Sequence, residues 1–197
     1  MARDPKMARD PKPAGAAPSQ ASLHEAALRH LSRFATTEAG LVRVLDRRVQ
    51  RWARLAGTEG VDIAEPVGRA REVVRAVAKN LVAAGAINDA TFAQARAVRL
   101  ARAGRSRRAT TAHLAAKGVA AETAVAALPA EADEVEAALA YAKRRRIGPF
   151  RVDTTPETRQ RDMAAMGRAG FPREVAERAL GMLAEDAAAR VLALKRG

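Results

Sequence analysis

The chain has 197 residues, is 48% apolar, and sets 35 Lys and Arg against 22 Asp and Glu for a formal net charge of +13. That length suits one domain or a compact string of repeats, and that charge favours nucleic acid or an acidic protein surface as partner. The absence of cysteine excludes disulfides and thiol catalysis, and no apolar run approaches the roughly 20 residues of a membrane span.

In chain order, residues 1–20 read as a disordered leader. Met-Ala-Arg-Asp-Pro-Lys occurs twice in tandem, and Pro, Gly and charge follow without apolar periodicity. The second Met, Met7, is an alternative start. The leader has no apolar core of a secretory signal, so the expected location is the cytoplasm. Ser22-Leu-His-Glu25 has the form of a capping box and opens a first helix reaching about Phe34. Thr37 caps a second helix carrying Leu41, Val44, Leu45 and Val49 on one face. After an interruption over 55–66, Asp62 and Pro66 open a third helix that stops at Gly85.

Asn88-Asp89 starts a second set: one helix to Gly104, one from Ser106 to Lys117, and one from about Ala120 to Leu128, where Pro129 blocks continuation. A third set runs from Glu131 to Gly148, from Thr155-Pro156 to Ala169, and from Pro172 into the C-terminal stretch. No sustained alternation of β-branched and polar residues marks a strand. The chain therefore reads as all-α, with about nine helices. One Trp, one Tyr and four Phe leave most of the packing to Ala, Leu and Val.

The sets repeat one another. Leu114–Leu128 aligns with Met166–Leu180, with Gly118/Gly170, Glu122/Glu174, Ala124/Ala176, Ala127/Ala179 and Leu128/Leu180 identical. Upstream, the segment from Asp89 to Gly104 resembles that from Asp133 to Gly148. Each unit is three short helices with Gly after the first two, where Gly supplies a left-handed C-cap. Such spacing signals a repeat array, in which each unit buries its apolar face against neighbours. The divisions are a leader at 1–20, an irregular first repeat at 21–87, a second at 88–130, and a third with a C-terminal helix at 131–197.

Catalysis has little to stand on. His24, His30 and His113 have no Cys or carboxylate nearby at metal-ligand spacing, and no phosphate loop, nucleophile elbow or His-Glu-x-x-His occurs. Glu131, Asp133, Glu134 and Glu136 crowd one helix start, where they favour its dipole. The expectation is a non-enzyme without cofactor or metal.

The cations carry more. Arg96, Arg99, Arg102, Arg105, Arg107, Arg108 and Lys117 fall between Asp89 and Gly118, a stretch whose single acid is Asp89. Arg107 and Arg108 open a helix whose dipole they oppose, so they cost stability unless a partner is near. Lys143, Arg144, Arg145, Arg146 and Arg151 occupy the related place in the third unit, though cations ending a helix also stabilise it. Arg47, Arg48 and Arg51, with Arg43 and Arg54, form a weaker counterpart in the first. Only Phe92, Tyr141 and Phe150 lie near the main clusters, so base stacking is poorly served and phosphate or acidic-protein contact is the better reading.

Ala84-Gly-Ala-Ile-Asn-Asp-Ala-Thr-Phe-Ala93, the Arg102-Ala-Gly-Arg-Ser106 turn and His113-Leu-Ala-Ala-Lys-Gly-Val119 resemble the central repeat of the RecX recombination regulators. Tyr141–Arg151 and Ala165–Phe171 resemble their third repeat. The resemblance covers roughly 22–185 and is strongest over 84–180. It implies an elongated, curved array of three tandem three-helix repeats that lodges on RecA–DNA filaments and restrains recombinase, ATPase and co-protease activity. Carried over, the two main basic clusters become candidate filament contacts; the expected protein is a monomer without membrane attachment, in weak contact, not sequence-specific, with single- or double-stranded DNA. The competing reading is a free-standing basic DNA-binding protein, either a helix-turn-helix regulator over Ser106–Leu128 or a nonspecific coat. Against the former, Glu122 and Thr123 are the only polar side chains of the would-be recognition helix.

Overall fold

The computed structural model describes residues 15–58, 60, 62–130 and 134–196. Among these there are ten α-helices and no strand. The chain divides into two compact units at Ile87/Asn88.

The first unit holds α1 (Gln20–Leu31), α2 (Glu38–Thr58) and α3 (Ala64–Ala83). Residue Ser19, not Ser22, caps α1: its backbone is extended and its hydroxyl accepts the Ser22 N–H at 3.3 Å. The Ser22 hydroxyl donates back to the Ser19 carbonyl, so the Ser-x-x-Glu pattern lies inside the helix. Of the leader, residues 1–14 lie outside the described residues. Gly15 is placed: its carbonyl accepts from Trp52 Nε1 at 3.0 Å. Thr37 caps α2 as expected, accepting the Gly40 N–H at 2.9 Å.

Residues Leu41, Leu45, Val49, Trp52 and Ala56 recur every three or four positions, forming the buried stripe that carries α2 on through Gly57. The interruption expected over 55–66 therefore narrows, and Asp62 Oδ1 accepts the Ala64 N–H as α3 begins. The unit's core joins Leu41, Leu45 and Val49 of this stripe to Leu23 and Ala27 of α1, Ala70, Val74, Val77, Ala78 and Leu81 of α3, and Ile87.

The second unit contains α4 (Asp89–Arg102), α5 (Arg107–Ala116), α6 (Ala121–Ala126), α7 (Glu134–Arg145), α8 (Pro156–Arg168), α9 (Arg173–Leu180) and α10 (Ala184–Arg196). Side-chain oxygens of Asn88, Ser106 and Thr155 cap α4, α5 and α8, each accepting the N–H three residues on. Ala93, Leu114, Val119, Ala124 and Ala127 make a small core, with Phe92 packed against it. A larger one gathers around α7, which is buried continuously from Val135 to Ala142 apart from Glu136.

Two details differ from the sequence reading. The last expected helix is two, α9 and α10. The chain turns through Gly181–Leu183, and α10 buries Ala187 and Val191 in the α7 core. A straight continuation would forfeit that burial. Nor does Gly148 cap α7. Arg146 takes the left-handed position with φ 54°, while Gly148 opens a 3-10 turn (Gly148–Phe150) against α9. A Cβ on Gly148 would stand 2.4 Å from Leu180 Cδ2 and 3.2 Å from its Cα, so glycine serves close approach as well as φ.

A cationic cleft where three helices end

Three helices of the second unit end beside one another. Gly104 and Arg105 just past α4, Tyr141, Arg144 and Arg145 in the last turn of α7, and Ala165, Arg168 and Ala169 at the end of α8 line an open cleft of about 520 Å³. Gly104 permits the approach of α4 to α7: it has φ 73°, and a Cβ there would lie 2.5 Å from Tyr141 N. The lining thus combines three small residues, one aromatic ring and four guanidinium groups.

Carbonyls at the ends of α4 and α8 accept from side chains of neighbouring elements. Arg144 Nη1 donates to the Ala103 carbonyl. The Ser106 hydroxyl donates to the Ala169 carbonyl at 2.8 Å, and the Tyr141 hydroxyl to the Ala165 carbonyl at 3.4 Å. The Tyr141 ring, 9% exposed, is faced by Arg144 at 5.5 Å and Arg145 at 6.0 Å. It packs at a tilt against Phe171, so it holds the arginines rather than offering a face to a base. Among the described residues no carboxylate pairs with Arg105, Arg145 or Arg168.

The other cations singled out in the sequence have diverse positions. Arg107 is turned inward: Nη1 donates to the Pro129 carbonyl, and its backbone N–H donates to Glu134 Oε1 at 2.9 Å. Glu134 is thus the partner that the N-terminus of α5 needs. Glu131 and Asp133 lie outside the described residues, and Glu136 accepts from Arg190 of α10 at 3.0 Å. Arg108 is exposed, its stem passing beside Gly170. Arg96 Nε donates to His113 Nε2 at 3.0 Å, joining α4 to α5. Burial, then the charges of Arg96, Lys117 and Arg105, hold the His113 imidazole below its ordinary pKa of 6.5.

Arg99 and Arg102 of α4 and Lys117 past α5 are exposed. Lys143 lies over the Phe150 ring at 5.9 Å, and Arg146 is exposed. Arg151 is committed to the fold, meeting buried Asp162 at 2.7 Å while the same carboxylate accepts the Gly148 N–H. In the first unit, Arg47, Arg48 and Arg51 are exposed on α2, and neighbouring Trp52 is buried.

The structure therefore brings Arg105, Arg144 and Arg145 together, and adds Arg168. Arg168 stands alone among uncharged neighbours in the sequence and so escapes a search for charge runs. Its signal was its place in the repeated Ala165–Phe171 segment. Chemically, the cleft can hold anions: its guanidinium forks are concentrated at a concave surface with little apolar lining. No group of three or more His, Cys, Asp or Glu among the described residues could hold a metal.

Fold and site define an all-α helical-repeat protein bearing a cationic cleft. The family model described as RecX, second three-helix domain, matches residues 88–128. The regulatory protein RecX of Myxococcus xanthus (strain DK1622) is 39% identical over 183 residues, which span 90% of this chain and 93% of that protein. That of Agrobacterium fabrum (strain C58) is 34% identical over 103 residues, 52% of this chain and 55% of the relative. The crystal structure of RecX from Lactobacillus salivarius shares the fold, with a TM-score of 0.58 at 17% identity, covering 82% of this chain and 94% of that one. The chain belongs to the RecX family of regulatory proteins.

Proposed function

We propose that this protein is a negative regulator of the RecA recombinase, binding the RecA–DNA filament and restraining its recombinase, ATPase and co-protease activities. It acts by occupancy and carries out no reaction of its own. It works as a monomer in the cytoplasm, where filaments form. The observation that carries the reading is the near full-length match to a regulatory protein RecX. The cleft lined by Arg105, Arg144, Arg145 and Arg168 supports it, because a filament of protein and DNA presents anions to such a surface. Arg99, Arg102, Arg108, Lys117, Lys143 and Arg146 extend the basic surface available to the filament.

The helix-turn-helix alternative is disfavoured by α6. Its six residues make under two turns, and no Arg, Lys, Asn or Gln projects from it to read base edges. The test is the DNA-dependent ATPase rate of RecA on single-stranded DNA, titrated with this protein at near-physiological salt and with DNA in excess. Inhibition at substoichiometric ratios is expected. Inhibition erased by spare DNA would mean a nonspecific coat instead.

A further inference from the structure

All the sulfur of this chain is thioether, since it has five methionines and no cysteine. Two of the five open the repeated leader hexapeptide, and none occurs between Met7 and Met163. The other three, Met163, Met166 and Met182, come together in one place, the core around α7. Methionine commonly fills irregular gaps in a core, which accounts for Met166, fully buried there. Met163 and Met182 differ. They pack on the margin of the same core and keep part of their surface in solvent.

Both stand where a change of polarity has leverage. Met163 follows Asp162, the carboxylate that holds Arg151 and the Gly148 N–H, and it shares α8 with Ala165, Arg168 and Ala169 of the cationic cleft. Met182 lies in the Gly181–Leu183 turn that lets α10 fold back and bury Ala187 and Val191 against α7.

We propose that Met163 and Met182 are sites of reversible oxidation to methionine sulfoxide, through which a peroxide weakens the α7 core and disperses the cationic cleft. The sulfur lone pair attacks one oxygen of hydrogen peroxide, and an S–O bond forms as the O–O bond breaks. The proton on the transferred oxygen passes to the departing hydroxide, which leaves as water. Sulfur gives up two electrons and the peroxide gains them. The product is polar where the thioether was apolar, and its oxygen meets a core built from Ala, Val, Leu and Phe side chains. Met166, at 0% exposure, reacts only after the other two have opened the core. Reversal belongs to a thiol-dependent methionine sulfoxide reductase, which removes the oxygen as water and oxidises two thiols to a disulfide. This chain supplies no thiol of its own. Relief of RecA restraint by peroxide follows, a consequence that rests on the filament reading above, whereas the oxidation sites do not.

The test exposes the full-length protein to hydrogen peroxide, maps each methionine over time by peptide mass spectrometry, and reads the urea midpoint of each sample. Met163 and Met182 are expected to take up oxygen well before Met166. Each sulfoxide should raise the unfolded-to-folded ratio about tenfold, and methionine sulfoxide reductase with a thiol reductant should restore the original midpoint. The variant Met163→Leu/Met182→Leu, nearly equal in volume, should hold its midpoint under the same treatment. Met1 and Met7 are present in both proteins, so their oxidation cancels. An unchanged midpoint in protein carrying both sulfoxides overturns the proposal, as does Met166 reacting as fast as the other two. Should the double variant fold poorly, the wild type carries the test through reversal: a lowered midpoint that the reductase leaves lowered overturns the proposal.

The RecA ATPase separates the two readings. Untreated protein that never inhibits overturns the filament reading and leaves the oxidation sites standing. Inhibition that survives in full after both sulfoxides form overturns the switch and leaves the filament reading standing.

Discussion

Glu134 sits in the first turn of α7, yet its carboxylate serves the start of α5 by accepting the Arg107 N–H. Glu134→Ala leaves that donor unpaired in a part-buried site, at a cost of about 1–3 kcal/mol. Urea denaturation at neutral pH should show the loss. His113 gives a second residue-level expectation. Its Nε2 accepts from Arg96, so the bonded imidazole is neutral, and burial with Arg96, Lys117 and Arg105 disfavours its charged form. The folded pKa lies below the ordinary 6.5, so the unfolded chain binds the proton first. Stability is thus full above about 6.5 and falls as pH drops below it, until the folded group also titrates. His113→Gln, which accepts a hydrogen bond without titrating, should flatten the dependence of Tm on pH between about 6.5 and 5. An unchanged profile would remove His113 as its source.

Among the elements, α4 and α7 touch backbone to backbone at Gly104 and Tyr141. Gly104→Ala meets two penalties, a left-handed residue costing about 1–2 kcal/mol and a Cβ driven into the Tyr141 backbone. Gly85 has nearly the same φ, 72°, with nothing within 4 Å of its Cβ position. Gly85→Ala should therefore cost only the conformational part, and Gly104→Ala distinctly more, in chemical denaturation of the two variants. Equal losses would mean that the α4–α7 approach relaxes freely. The positions of the helices were legible in sequence, because Asn88, Ser106 and Thr155 supply caps and the apolar residues keep helical spacing. The break between α9 and α10 was not. It depends on Ala187 and Val191 finding the face of α7, a contact between residues far apart in the chain.

For the molecule as a whole, α7 is the organising helix of the second unit, packed by α4, α9 and α10. Truncation after Leu183 uncovers the part of that core filled by Ala187 and Val191 and breaks the Arg190–Glu136 pair. Burying one Val contributes about 1.5–3 kcal/mol, so a loss of that order or larger is expected, read as a lower midpoint in urea with a cooperative transition retained. The candidate site was only half legible at this scale. Charge runs pointed to Arg105, Arg144 and Arg145, but equally to Arg107 and Arg151, which the fold turns toward Pro129 and Asp162. A run of arginines records how much charge is present, not where each guanidinium ends.

By itself the sequence determined the all-α class, most helix positions and caps, and the strongly cationic character. Each of these rests on local chemistry: side-chain spacing, capping oxygens, glycine at positive φ, and composition. Only the tertiary structure decided which cations share a surface. Arg168 joins Arg105, Arg144 and Arg145 because α4, α7 and α8 end at the same place, and that convergence is fixed by long-range packing around α7 and by the absence of a Cβ at Gly104.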